Sequence, residues 1–421
     1  MRLIKIKHLI TKHNTTIQNF SYLTLLKIFV VGAPLITYPY LTNTLGTYLY
    51  GYVILAQAVV GYCSIIISFG YTKVCARHVS INRNDINKLS EILSSVLFSR
   101  IIIWCFCLII YLICINTISI CKEHYYLFLF SFGLTLYELL FPQFYYQGIE
   151  RMKYITIINF ILRTVSICLI FIIVKDSIDY YFVPLIHTIS YLIGGACSFY
   201  ILYKNGIKLF IPKTTSLKYY FFDALPIFCT DIICSIKDRF NYILLNNYIG
   251  AGLVVVYDLC IKLSNAIVAP SQILSTVLFP QIAQKKDITS VKNGIMIIAV
   301  SNTILSLLAI FSVPLFLHHF FTDIIMAWPI QIYMIVPIIL GTSSFLSSNV
   351  FVAFGYNKYL LYSIAITTIS YLLGITIAFI MGYLDNILSY IIVSIVAYST
   401  ELIYRIYISI NIINKYETQK H

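Results

Sequence analysis

The stretch FSYLTLLKIFVVGAPLITYPYLTNTLGTYLYGYVILAQAVVGYCSIIISFGYTKV, residues 20–74, decides the fold class. Lys27 and Lys73 are its only charged residues. A helix needs about 20 apolar residues to cross a bilayer. The stretch is long enough for two such helices, over roughly 20–41 and 49–74, with LGTYLYGY (45–52) leading into the second. The same pattern continues to the end of the chain. Ten further apolar runs lie at roughly 90–116, 125–147, 154–174, 180–203, 219–246, 252–280, 294–317, 327–352, 359–383 and 387–410. None of the connections is long enough to hold a soluble domain.

Composition agrees. Of 421 residues, 60% are hydrophobic and 11% charged, and the mean hydropathy is +0.87. A soluble domain carries about 25% charge, so this chain cannot cover itself with a polar surface. That excludes a soluble enzyme, a disordered chain and a nucleic-acid module. Long apolar runs, not short alternating ones, exclude a barrel. The expected fold is all-α and polytopic, with about 12 transmembrane helices.

The net charge of +13 is mostly topological. Segments 1–19, 75–89, 148–153, 204–218, 281–293, 353–358 and 411–421 together hold 19 Lys and Arg. The alternate loops hold two, Lys122 and Lys175. Basic loops stay cytoplasmic, so both termini are expected inside. The basic start (Arg2, Lys5, Lys7, Lys12) leads into a long run with no small-residue cleavage site, which reads as a retained first span and not a signal peptide. None of the eleven cysteines is in a CxxC pair, and nearly all lie in apolar runs, so they read as small buried hydrophobes. His318, His319 and Asp323 read as a solvated loop and not a metal site.

The two halves echo each other. Gly46 of LGTYLYGY maps to Gly250 of IGAGLVVVY (249–257), an offset of 204. Gly148 of FYYQGIERMKY (144–154) maps to Gly355 of FVAFGYNKY (351–359), an offset of 207. Duplication of six spans preserves orientation, which makes this a parallel repeat. Two pseudo-symmetric six-helix bundles, 1–210 and 211–421, are therefore expected around a central cleft.

Three stretches carry a family resemblance. They are APLITYPYLTNTLGTYLYGYVILAQAVVGYCSIIISFGYTKVCARHVS (33–80), PQFYYQGIERMKYITIINFILRTVSI (142–167) and KDSIDYYFVPLIHTISYLI (175–193). The chain resembles the Wzx O-antigen flippases, the polysaccharide branch of the multidrug/oligosaccharidyl-lipid/polysaccharide exporter superfamily. It departs from the family pattern beside the first LG pair, where Asn43-Thr44 stand in place of an Arg-containing stretch. The resemblance implies a transporter in the bacterial inner membrane. Its substrate would be an undecaprenyl-diphosphate-linked O-antigen or capsule oligosaccharide, moved from the cytoplasmic to the periplasmic leaflet by alternating access coupled to an ion gradient. A glycan polymerase and a chain-length regulator would be its partners.

Eight basic residues remain at membrane depth, where each costs about 2.5–3.5 kcal/mol at a span centre. Lys73 and Arg405 lie near span ends, where they can snorkel, and Glu401 and Arg405 are spaced i, i+4 as a structural pair. In the first half Lys27, Arg100 and Arg163 face a single acid, Glu138. In the second half Lys237, Arg239 and Lys262 balance Asp231, Asp238 and Asp258. A diphosphate calls for surplus positive charge in a low-dielectric site, and Arg suits it through bidentate donation. Lys27, Arg100, Arg163 and Arg239 are the substrate-binding candidates. Asp231, Asp258 and Lys262 are the ion-coupling candidates. By depth, Glu138 pairs with Arg163 and Asp238 with Lys262 as structural pairs, with Asp258 competing for Lys262. No nucleophile–base pair, metal spacing or phosphate-binding loop is present, so neither catalysis nor a cofactor is expected. A drug/cation antiporter would favour acidic surplus in the cleft, the opposite of what the first half holds, and a membrane glycan polymerase would carry a large external loop.

Overall fold

The computed structural model describes residues 2–322 and 326–418; the side chains of 1–17, 19, 238, 280 and 285 are outside that description. Asp323 and the side chain of Asp238, both singled out above, are therefore outside it, as are the basic side chains of the first 17 residues. The helices are α1 (Arg2–Ser68), α2 (Tyr71–Ile81), α3 (Ile86–Thr117), α4 (Tyr125–Gly148), α5 (Met152–Ile173), α6 (Ser177–Lys204), α7 (Thr214–Tyr248), α8 (Ala251–Lys285), α9 (Ile288–Phe320), α10 (Ala327–Val352), α11 (Asn357–Ile380) and α12 (Ile387–Thr418).

Among the described residues eleven helical stretches are long and apolar enough to cross a membrane. One of them, Phe20–Ile81, is 62 residues long, far more than one crossing uses. Its helical path breaks at Gly46, at φ 75° and ψ 159°. There the chain folds back, and the Tyr38 and Tyr50 rings meet at 5.1 Å. Twelve residues along a straight helix would separate them by about 18 Å. The stretch is thus two spans, which makes twelve among the described residues.

The repeat is visible in the boundaries. Asp85 caps α3 by accepting from the N–H groups of Asn87 and Lys88. Asp287 does the same for α9 through Thr289 and Ser290. Gly46 and Gly250 both hold positive φ immediately before a helix. The Gly148–Gly355 match needs correction. Gly355 holds φ 86°, but in the first half that conformation falls on Glu150, at φ 58°. Gly148 is instead a close-packing glycine, since a Cβ there would lie 2.5 Å from Val79. The offset at this turn is 205, in step with the start of α11 against that of α5.

Packing groups the chain into two compact units, 1–33 with 56–232, and 34–55 with 233–421. The packing units do not follow the 210/211 division expected from the repeat, because α1 and α7 each pass from one unit to the other. The first unit's core runs from Phe69 and Tyr71 through Ile92, Val96, Phe144 and Ile158. The second's includes Ile282, Val291, Phe345 and Phe351.

The side-chain pattern is the reverse of a soluble protein's. On α3, Ile102, Phe106, Ile109 and Ile113 recur on one exposed face. The N-terminal half of the same helix is enclosed and buries Ser95, Ser99 and Arg100 beside Ile92 and Val96. An exposed apolar stripe at helical spacing is destabilising in water and favourable against acyl chains. Polar groups go inside, where other helices satisfy them.

Candidate functional site

The buried cations were the candidate site in sequence, and the structure sorts them by what each one touches. Arg100 is 1% exposed. It donates to the Glu138 backbone carbonyl at 2.5 Å and to Thr72 Oγ1 at 3.1 Å, and it lies 3.8 Å from the Glu138 carboxylate. Glu138 thus pairs with Arg100 and not with Arg163. The depth count failed because α4 is not one regular helix. It contains a 3-10 turn over Phe132–Thr135 and a break at Phe141–Pro142, so counting residues from the turn misplaces the face that Glu138 presents. Arg100, read as a substrate ligand, is enclosed in the first unit's own packing.

Removal of Glu138 leaves Arg163 open. It is half-buried on α5 and makes no ion pair or hydrogen bond among the described residues. It lines a cavity of about 210 Å³ with Tyr137, Asn159, Ser166, His187 and Tyr191. Gly194 and Gly195 let α6 press against Leu162 and Leu140, at 2.3 and 2.6 Å for a hypothetical Cβ. Leu162 forms part of the cavity wall. The polar lining is ordered. Tyr137 reaches Asn159 Oδ1 at 3.4 Å, and Asn159 Nδ2 donates to the Ile155 carbonyl at 2.9 Å.

Beside it a relay has a fixed direction. Ser190 Oγ donates to the Ile186 carbonyl, and Ser166 Oγ donates to Ser190 Oγ, both at 2.9 Å. Ser166 has spent its one proton, so it can only accept from His187 Nδ1 at 3.2 Å. The Nδ1–H tautomer is thereby set. Lys27 is half-buried on the first arm of α1 and likewise makes no ion pair among the described residues.

In the second unit two carboxylates, Asp258 and Glu401, are closed on basic partners. Asp258 is 7% exposed and takes Lys262 on one oxygen and the Tyr242 hydroxyl, at 3.0 Å, on the other. Lys262 also sits 4.6 Å from the Tyr38 ring, whose hydroxyl donates to the Val255 carbonyl at 2.7 Å. Asp258, expected to compete for Lys262, is paired with it; the side chain of Asp238 lies outside the described residues. Lys237 lies 4.9 Å from the Tyr398 ring, and Arg239 is half-buried on α7.

Glu401 and Arg405 meet at 2.5 Å. Arg405 also donates to Ser363 Oγ and to the Ser343 carbonyl, while Thr367 donates to Glu401. At 6% exposure Arg405 does not snorkel; it is the centre of a buried network.

Asp231 was counted with the second-half cations. It pairs instead with Lys73 at 2.6 Å, because the first part of α7 packs in the first unit. Near it, Arg77 and His78 both reach Asp223.

Counting charges missed the uncharged polar groups. Asn241 donates to Tyr257 at 2.6 Å and accepts from Tyr371 at 2.5 Å, and Tyr257 meets Ser394 at 3.1 Å. The available signal was an asparagine inside an apolar span, seen at Asn159, Asn241, Asn302 and Asn349. Asn43, where the sequence departs from its family, holds the end of α9 through the Phe320 carbonyl and the Thr322 N–H, each at 2.9 Å.

Comparison with known proteins matches residues 16–286 to the family described as polysaccharide biosynthesis protein. Two relatives carry the name "Putative O-antigen transporter". The one from Escherichia coli (strain K12) is 24% identical over 299 residues, 69% of this chain and 70% of the relative. The one from Shigella dysenteriae is 30% identical over 275 residues, 62% of this chain and 66% of the relative. Among solved structures, an inward-facing multidrug resistance MATE family transporter of the MOP superfamily superposes with a TM-score of 0.68, covering 96% of both chains at 12% identity. An outward-facing structure of that kind gives 0.66, covering 95% of this chain and 96% of the other, also at 12% identity. At that identity the likeness is one of fold.

Proposed function

Because the chain belongs to the polysaccharide biosynthesis protein family, we propose that it is a flippase for lipid-linked O-antigen or capsule oligosaccharide units, a transporter and not an enzyme. The observation that carries this is the pair of O-antigen transporter relatives, matched over about two thirds of their length, on a chain built of membrane-crossing helices. The substrate is an undecaprenyl diphosphate carrying the oligosaccharide. It moves from the cytoplasmic to the periplasmic leaflet of the bacterial inner membrane, and the asymmetry of the basic loops puts both termini in the cytoplasm. Alternating access is the route. Support comes from solved relatives of the same fold, described in both inward- and outward-facing conformations.

Arg163 and Lys27, with Arg239, remain the cations for the substrate's anionic part. A guanidinium with unused donors offers the bidentate geometry that a phosphate takes. The tyrosines beside Arg163 offer ring faces to a sugar. Arg100 and Glu138 hold the first unit together and serve the site by keeping its walls in place. The cycle is driven by an ion gradient, and a polymerase acts on its product.

The test is translocation of a fluorescent polyprenyl-diphosphate oligosaccharide in vesicles of purified protein. Accumulation in the opposite leaflet that depends on the protein supports the reading. Transport of a cationic drug in its place would refute it.

A further inference from the structure

A second cavity, of about 910 Å³, lies at the end of the first unit where α3 begins and α6 gives way to α7. Lys88, Lys208, Lys213, Asp85, Glu91 and Phe210 are among its walls. The connection between α6 and α7 is pinned along α3. After the turn at Gly206, at φ 79°, the N–H of Lys208 donates to Ser90 Oγ and that of Phe210 to Ser94 Oγ, both at 3.1 Å. Ser216 then donates to Glu91 at 2.7 Å. The backbone that carries these lysines is held by side-chain hydrogen bonds at three places.

Two features need explaining together. The first is charge. Lys88 is taken by Glu91 at 2.8 Å, and Asp85 caps α3, but Lys208 and Lys213 make no ion pair among the described residues. Segment 204–218 carries four lysines and no acid. The second is apolar exposure. Leu209, Phe210 and Ile211 stand 50%, 50% and 83% exposed, one after another, between Lys208 and Lys213. Three consecutive exposed large apolar residues are unfavourable in water. They are favourable at the boundary between headgroups and acyl chains, where adjacent lysines meet phosphates.

We propose that this cavity binds the phosphate of an anionic phospholipid from the adjacent leaflet, with Leu209, Phe210 and Ile211 seated among its acyl chains. The charge selects the ligand. Three lysines against Asp85 and Glu91 leave one net positive charge in the lining, which matches a single phosphodiester such as that of phosphatidylglycerol. A prenyl diphosphate brings at least one more negative charge, toward two carboxylates that repel it. The site is thus a resident-lipid site, distinct from the transport route. That the leaflet is the cytoplasmic one rests on the orientation proposed above; the binding does not.

Full-length protein in neutral detergent should be titrated with phosphatidylglycerol, phosphatidylcholine and farnesyl diphosphate, with bound molecules counted by native mass spectrometry. Phosphatidylglycerol should bind most tightly. The double variant Lys208→Gln/Lys213→Gln should weaken that binding about thirtyfold, from about 1 kcal/mol per lysine near an anionic headgroup. Lys208→Arg/Lys213→Arg should keep it, which separates lost charge from lost folding. Equal binding of phosphatidylcholine, displacement by farnesyl diphosphate, or an unchanged glutamine variant would each overturn the proposal. Vesicle translocation by the unaltered protein reports on the transport reading separately.

Discussion

The two units treat buried charge differently. In the second, Asp258 has a donor on each oxygen, and Glu401–Arg405 is surrounded by Ser343, Ser363 and Thr367. In the first, Arg100–Glu138 is also enclosed, but Arg163 opens onto a polar cavity with its donors unused. A buried ion pair with every partner in place gives little net stability, yet removing one member leaves an uncompensated charge. An open guanidinium at membrane depth is costly to keep. Closed pairs therefore read as architecture, and the open arginine as function.

This contrast can be broken at its closed end first. Glu401→Gln should lower stability by about 3–5 kcal/mol, because Arg405 would stay buried without its counter-charge. Thermal unfolding in detergent would show it, and Glu401→Gln with Arg405→Met should recover most of the loss. Recovery failing in the double variant would mean that the network does more than neutralise charge. Next in size is Gly51→Val. A Cβ there would lie 1.9 Å from the Ala251 carbonyl oxygen, so the second unit should lose about 1–3 kcal/mol or shift its backbone. At Asp258 the prediction concerns transport. Asp258→Asn should keep whatever gradient dependence the parent shows; loss of that dependence would move Asp258 from architecture to coupling. The smallest effect is expected at Glu150→Gly. Its φ of 58° costs a side chain about 1 kcal/mol. The exposed pair it makes with Arg83, at 3.6 Å, is worth less. A small rise in melting temperature should follow, and a fall would mean that the Arg83 contact outweighs backbone strain.

Much of the fold was legible in the sequence because membrane helices announce themselves by length and hydropathy. The turn at Gly46 and the repeat in Gly250 were readable as well. Partners were not. Depth counted from a loop assumes an unbroken helix, and the 3-10 turn at Phe132–Thr135 defeats that assumption for Glu138. Asp231 was assigned to the second half by its number, yet α7 crosses between units and delivers it to Lys73. The excess of positive charge in the first half was countable in advance. Which arginine stays open was not, since that depends on the face each residue presents and on what the neighbouring helices bring to it. The Ser190–Ser166–His187 relay gave no signal in a count of charges, because two of its three members carry none.

The central claim is that Arg163, and not the closed pairs, meets the substrate's anionic group. The most direct test is translocation of the lipid-linked oligosaccharide by Arg163→Ala and Arg163→Lys in vesicles, alongside the melting temperature of each variant. The account predicts that the alanine variant folds with an unchanged melting temperature and loses at least tenfold in rate, as expected for a charge-assisted contact worth about 1.5–3 kcal/mol, while lysine restores part of it. An alanine variant that transports at the parental rate, or one that loses stability in proportion to its loss of rate, would contradict it.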